Sequence, residues 1–122
     1  MPIHLEISRL NRLLVIVARG KVTADEVRDL VRKMVENDVR HFAKIIDVSG
    51  SAIDMDREQV ERMAVSLRGE PGAERRGAIA FVINPEREGF AEVFTEATQA
   101  DRPVELFRSL RDAREWLRSL QS

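Results

Sequence analysis

Three short runs constrain this chain most: Leu13–Ala18 (LLVIVA), Ala43–Val48 (AKIIDV) and Ala78–Ile83 (AIAFVI). Each is the length of one strand, and the first and third are apolar on both sides of a period-2 pattern, so both faces need cover. The stretches between them carry apolar residues at helical spacing. Val27, Leu30, Val31 and Met34 form an i, i+3, i+4, i+7 stripe, and Val60, Met63, Ala64 and Leu67 form the next. Buried strands separated by amphipathic helices belong to an α/β sheet that is largely parallel, because each parallel return needs a crossover.

The remaining segments fit that frame. Ile3, Leu5 and Ile7 alternate with His4, Glu6 and Ser8 as in an edge strand, and the turn at Asn11-Arg12 pairs it antiparallel with the first run. Gly20 is expected to end that run. Thr23 with Glu26 has the spacing of a capping box for a helix over Ala24–Glu36, closed by Asn37-Asp38. A second box, Asp56 with Gln59, opens a helix that ends near Gly69, and residues 69–77 (GEPGAERRG) read as a mobile surface loop. Asn84-Pro85 stops the third run, and a helix from about residue 86 to 99 carries Phe90, Phe94 and Ala97. Pro103–Phe107 is a last short strand. Ser109 caps a final helix whose inner stripe is Leu110, Ala113, Trp116, Leu117 and Leu120. The expectation is one α/β domain over residues 1–122, ordered ββαβαβαβα. An antiparallel hairpin leads into a mostly parallel mixed sheet with four helices and right-handed crossovers.

Composition removes several function classes. With no cysteine there is no disulfide, thiolate nucleophile or thiolate-ligated zinc, which fits a reducing compartment; the N-terminus also lacks a signal-peptide pattern, so a cytoplasmic location is expected. No run approaches the roughly 18 apolar residues of a membrane span. Twenty basic and 21 acidic side chains are mixed along the chain, so no long-range field favours nucleic acid.

The segment Lys44–Asp56 (KIIDVSGSAIDMD) reads as a buried strand, a polar loop over Ser49–Met55 and a helix start, where open α/β sheets place ligands and partners. Asp47, Ser49, Ser51, Asp54, Asp56 and Arg57 are its candidate partner-binding residues. A calcium reading lacks the turn glycine and terminal glutamate of the loop motif. Asp56 has a plainer role as a helix cap than as a permanent phosphate mimic. His4 and His41 have no partner pattern, and residues 69–77 run from helix to strand, the wrong sense for a phosphate loop. No nucleophile–base pair, metal set or cofactor motif is found, which points away from an enzyme. Phe90, Phe94 and Trp116 read either as core or as the lining of an apolar-ligand pocket.

Four ordered stretches, LLVIVARGKVTADEV, KIIDVSGSAIDMD, GAIAFVIN and VELFRSLRDAREWL, resemble the STAS domain and more closely its SpoIIAA-like branch, which is also compared with lipid-binding Sec14-type domains. The resemblance implies a small regulatory fold without catalytic chemistry that binds a protein partner. In the anti-sigma-factor antagonists of this family the corresponding loop carries an Asp-Ser-Ser-Gly motif whose second serine is phosphorylated. Here the segment reads Asp54-Met55-Asp56-Arg57, without either serine or the glycine, so the phosphoryl switch does not carry over. The expected function is a non-catalytic regulatory module that binds a protein partner through residues 49–57 and self-associates as a dimer. The alternative is a small apolar-ligand or lipid-binding domain of Sec14-like type, gated by residues 69–77 and the Phe90/Phe94 helix.

Overall fold

The computed structural model describes residues 3–68, 76–86 and 89–121. The order is β1 (Ile3–Ser8), β2 (Leu13–Thr23), α1 (Ala24–Glu36), β3 (Ala43–Asp54), α2 (Arg57–Arg68), β4 (Ile79–Val82), α3 (Phe90–Thr98), β5 (Val104–Phe107) and α4 (Leu110–Gln121). The five strands lie side by side in sequence order, β1 antiparallel to β2 and every later pair parallel. This is the expected α/β architecture.

Stepwise strand order decides where the helices go. Crossovers of one hand that advance one strand at a time return on the same side of the sheet, so α1, α2 and α3 share a face. The side chains agree. Ile79 and Phe81 of β4 pack with Val60 of α2 and with Ala91 and Phe94 of α3, whereas Ala80 and Val82 point the other way, onto Ala113 and Leu117 of α4. The sheet therefore has a three-helix face and a one-helix face.

The helix starts follow from their caps. The Glu26 amide donates to Thr23 Oγ1 at 3.2 Å and the Thr23 amide to Glu26 Oε1 at 3.0 Å. The Gln59 amide donates to Asp56 Oδ1 at 2.8 Å and the Asp56 amide to Gln59 Oε1 at 3.0 Å. At α4 the Asp112 amide donates to Ser109 Oγ at 3.1 Å. Each cap satisfies first-turn amides that have no partner within the helix and contributes about 1 kcal/mol.

Three boundaries differ from the sequence reading. Gly20 does not end β2: with φ at +68° it stays in the strand, which runs on to Thr23. The polar loop expected over Ser49–Met55 is strand through Asp54, and only Met55-Asp56 connect it to α2. The two extensions support each other, Arg19 pairing with Gly50 and Thr23 with Asp54. Between the pairs Val17↔Asp47 and Arg19↔Gly50, β3 holds one residue more than β2, so Ala18 faces both Val48 and Ser49. This bulge shifts the pattern by one: Lys44, Ile46 and Val48 face the three-helix side before it, and Ser51 and Ile53 after it. An alternation that changes phase midway resembles a loop in sequence. Helix α3 is also shorter than expected, beginning at Phe90 after a turn in which the Glu86 amide donates to Asn84 Oδ1 at 3.0 Å. Residues 69–75 of the expected mobile loop lie outside the described residues.

Candidate functional site

The sequence-predicted partner surface divides in two. Asp47, Ser49 and Ser51 are occupied in stitching the bulge. Asp47 Oδ1 accepts from the Ser49 amide at 3.0 Å and from Ser49 Oγ at 2.6 Å, and Ser51 Oγ donates to the Val48 carbonyl at 2.9 Å from a buried position. Asp54, Asp56 and Arg57 are exposed at the carboxyl end of β3. Asp56 caps α2, and Arg57 Nη1 donates to Glu96 Oε2 of α3 at 2.9 Å, bridging two helices at the surface.

The apolar candidates divide as well. Phe90 and Phe94 pack on Phe81 of β4 with ring centroids 6.3 and 5.7 Å from it, both edge to face. All three line a cavity of about 80 Å³ between the sheet and α1, α2 and α3. Trp116 is not part of that lining. It lies under α4 on the other side of the sheet, against Phe107 at 5.5 Å, because α4 follows the last strand and covers the opposite face.

The cavity is apolar along most of its length. Ile16, Ala18, Ile46 and Val48 of the sheet form its floor, and Val27, Leu30, Val31 and Met34 of α1 with Met63 and Leu67 of α2 form its roof. Of the α1 stripe only Val27 is fully buried. One end differs sharply, for Arg40, Lys44, Arg76 and Arg102 all contribute to the lining. They come from three segments that meet at the amino ends of the parallel strands: Arg40 and Lys44 lie at the start of β3, Arg76 precedes β4 and Arg102 precedes β5. This is the end opposite to Asp54 and Asp56.

Most of these cations are held deep in the fold, Arg40 being half-buried. Lys44 is 2% exposed and Arg102 7%. Lys44 Nζ donates to the Arg40 carbonyl at 2.6 Å and the Phe42 carbonyl at 2.9 Å, while Arg40 Nη2 reaches the Leu67 carbonyl at the end of α2 at 3.2 Å. Arg76 Nη2 lies 3.9 Å from Asp101 Oδ2. Burial, and then repulsion from Arg102, Arg40 and Arg76, lower the Lys44 pKa to about 7. Arg102 is lowered to about 10, mainly by burial, with Arg76 adding to the shift and Asp101 opposing it. Its Nε is buried and has no hydrogen-bond partner.

Close backbone approach makes the cluster possible. The Gly77 amide donates to the Arg40 carbonyl at 3.0 Å, and a Cβ on Gly77 would stand 2.2 Å from the Phe42 carbonyl oxygen. Only glycine lets the segment carrying Arg76 lie this near the segment carrying Arg40 and Lys44. The sequence reading did not single out these four residues. The one available signal was Lys44 itself, a cation inside a strand read as buried.

No protein-family model and no curated protein matches this chain. Among solved structures it is similar to an uncharacterised protein of the DUF3478 family from Shewanella loihica, whose crystal structure is described as SpoIIAA-like. The TM-score is 0.56 and the identity 20%, covering 94% of this chain and 91% of that one. The fold is SpoIIAA-like. The SpoIIAA-like frame accounts for the hairpin, the stepwise sheet and the four helices; what the site does has to be argued from its side chains. Among the described residues no helix is long and apolar enough to cross a membrane.

Proposed function

We propose that this SpoIIAA-like chain is a non-catalytic binding domain that takes an apolar group of a small ligand into the cavity between its sheet and α1–α3. The supporting observation is the cavity itself: about 80 Å³ of space, walled by aliphatic and aromatic side chains, under a helix whose inner stripe is only part-buried. Apolar voids in folded proteins stay dry and accept apolar guests, as a roughly 150 Å³ engineered cavity accepts benzene. Among the described residues the lining contains no carboxylate, histidine, serine or cysteine, and the Lys44 amine is engaged by two backbone carbonyls, so the arrangement supports binding rather than turnover. Xenon or hexanol titration followed by amide chemical shifts tests this. Shifts concentrated at Val27, Met63, Phe81 and Phe94 are expected, and their absence at saturating guest overturns the reading.

A second reading, binding of a protein partner at the carboxyl end of β3, is supported by the exposure of Asp54, Asp56 and Arg57. It rests on these three, since Asp47, Ser49 and Ser51 serve the bulge. Unchanged affinity for a captured partner in the Asp54→Ala/Arg57→Ala double variant would remove it. Self-association is proposed through the one-helix face, where α4 packs on β3, β4 and β5 and leaves Val15 and Val17 of β2 half-buried. Sedimentation as a monomer at micromolar concentration argues against it.

A further inference from the structure

We propose that the basic end of the cavity is an anion site, and that the ligand is an amphiphile: a carboxylate or phosphate group sits among Arg40, Lys44, Arg76 and Arg102 while a slim apolar tail extends toward Phe81 and Phe94. This rests on the binding reading above and adds the chemistry of the head group.

The crowding of like charges carries the inference. Four cationic side chains converge from three segments on one end of one cavity, and among the described residues Asp101 provides an opposing carboxylate. A fold gains nothing in stability from burying such a group: each cation loses hydration, and neighbours of the same sign raise one another's energy in a medium less polar than water. Backbone carbonyls offset part of this at Lys44, and the carboxyl end of α2 does so at Arg40. They leave Arg102 incomplete. Its side chain is more than nine-tenths buried, lines the cavity and keeps an Nε–H without an acceptor. Buried polar groups are nearly always satisfied, and an exception marks a place where a partner is missing. An oxyanion would supply that acceptor and accept the forked donors that guanidinium groups present to carboxylates and phosphates.

Shape decides the rest of the ligand. The same lining runs from Arg102 and Arg76 past Ile79 to Phe81, Phe94 and the α1 stripe, so a head group at the basic end directs its tail along an aliphatic wall. The space suits a tail of a few carbons as the structure stands. A longer chain requires α1, with its part-buried stripe, to move outward.

Chemical-shift titration of the purified protein with hexanoate, hexyl phosphate, hexanol and inorganic phosphate tests the assignment. Hexanoate or hexyl phosphate is expected to bind at least about tenfold more tightly than hexanol, with shifts at Lys44, Gly77 and Arg102 as well as Phe94. Arg102→Met and Lys44→Met, which relieve repulsion and so keep the fold, are expected to lose that preference while hexanol binding is unchanged. Thermal melts check folding, and the ligand comparison on the unaltered protein stands without either variant. Hexanol binding as tightly as hexanoate overturns the anion site and leaves the apolar cavity reading in place. Inorganic phosphate matching hexyl phosphate overturns the amphiphile and points to a free-anion site. Binding of none of the four overturns both.

Discussion

The two ends of the parallel strands treat polar residues in opposite ways. At the carboxyl end, Asp47, Ser49, Ser51 and Asp56 each find a hydrogen-bond partner within three residues along the chain. At the amino end, Arg76 and Arg102 reach Arg40 and Lys44 only through tertiary structure, and the four repel one another. The polar segment that stands out in the sequence is locally satisfied, whereas the inconspicuous one is electrostatically strained. Polarity that is satisfied by neighbours in sequence builds structure. Polarity assembled from distant segments, with the buried Arg102 Nε–H left without an acceptor, is where a ligand would complete the structure.

The contrast breaks or sharpens under four measurements. The largest effect concerns Lys44. Its folded pKa of about 7 lies below its ordinary value of 10.5. The unfolded chain therefore holds more protons between those values, and stability rises with pH across that window by at most about 1.4 kcal/mol per unit. Below pH 7 the cost of burying the charge is fully present. Arg40, Arg76 and Arg102 on one side and Asp101 on the other set its size. Urea denaturation of Lys44→Met should lack this dependence, so that the difference from the unaltered protein changes by on the order of 4 kcal/mol between pH 7 and 10.5. A constant difference would show that the amino end is not strained. Next is Gly77→Ala, whose Cβ meets the Phe42 carbonyl oxygen. A loss of roughly 3 kcal/mol in the same assay is expected, because backbone must move. Asp56→Ala should cost about 1 kcal/mol through loss of the α2 cap, independent of any ligand. Ser51→Ala should cost about 0.5–1 kcal/mol, the net worth of one buried hydrogen bond. If either carboxyl-end change instead exceeded the Gly77 effect, the two ends would not differ as described.

Much of the SpoIIAA-like architecture is legible in the sequence because its determinants are local. The α1 stripe and the Thr23/Glu26 box place that helix at Ala24–Glu36, and the structure has the same bounds. Asn11-Arg12 announces the hairpin turn, where Arg12 takes a φ of +53°. The bulge hides the second half of β3, since a strand whose inward positions change from even to odd has no single period. Trp116 shows a different limit: periodicity gives the apolar side of α4 but not which face of the sheet receives it. The basic cluster was least visible. Arg40, Arg76 and Arg102 each look like an ordinary surface arginine beside a turn, and only the parallel strand ends bring Arg76 and Arg102 to Arg40 and Lys44.

The extra residue in β3 decides where the ladder is interrupted and not which side chains face inward beyond it. Removing Ser49 would leave Ser51 opposite Gly20 and Ile53 opposite Val22, so both would keep facing the three-helix side in a strand of uniform alternation. What the deletion would take away is the local kink and twist, together with the amide and hydroxyl that the Asp47 carboxylate holds there.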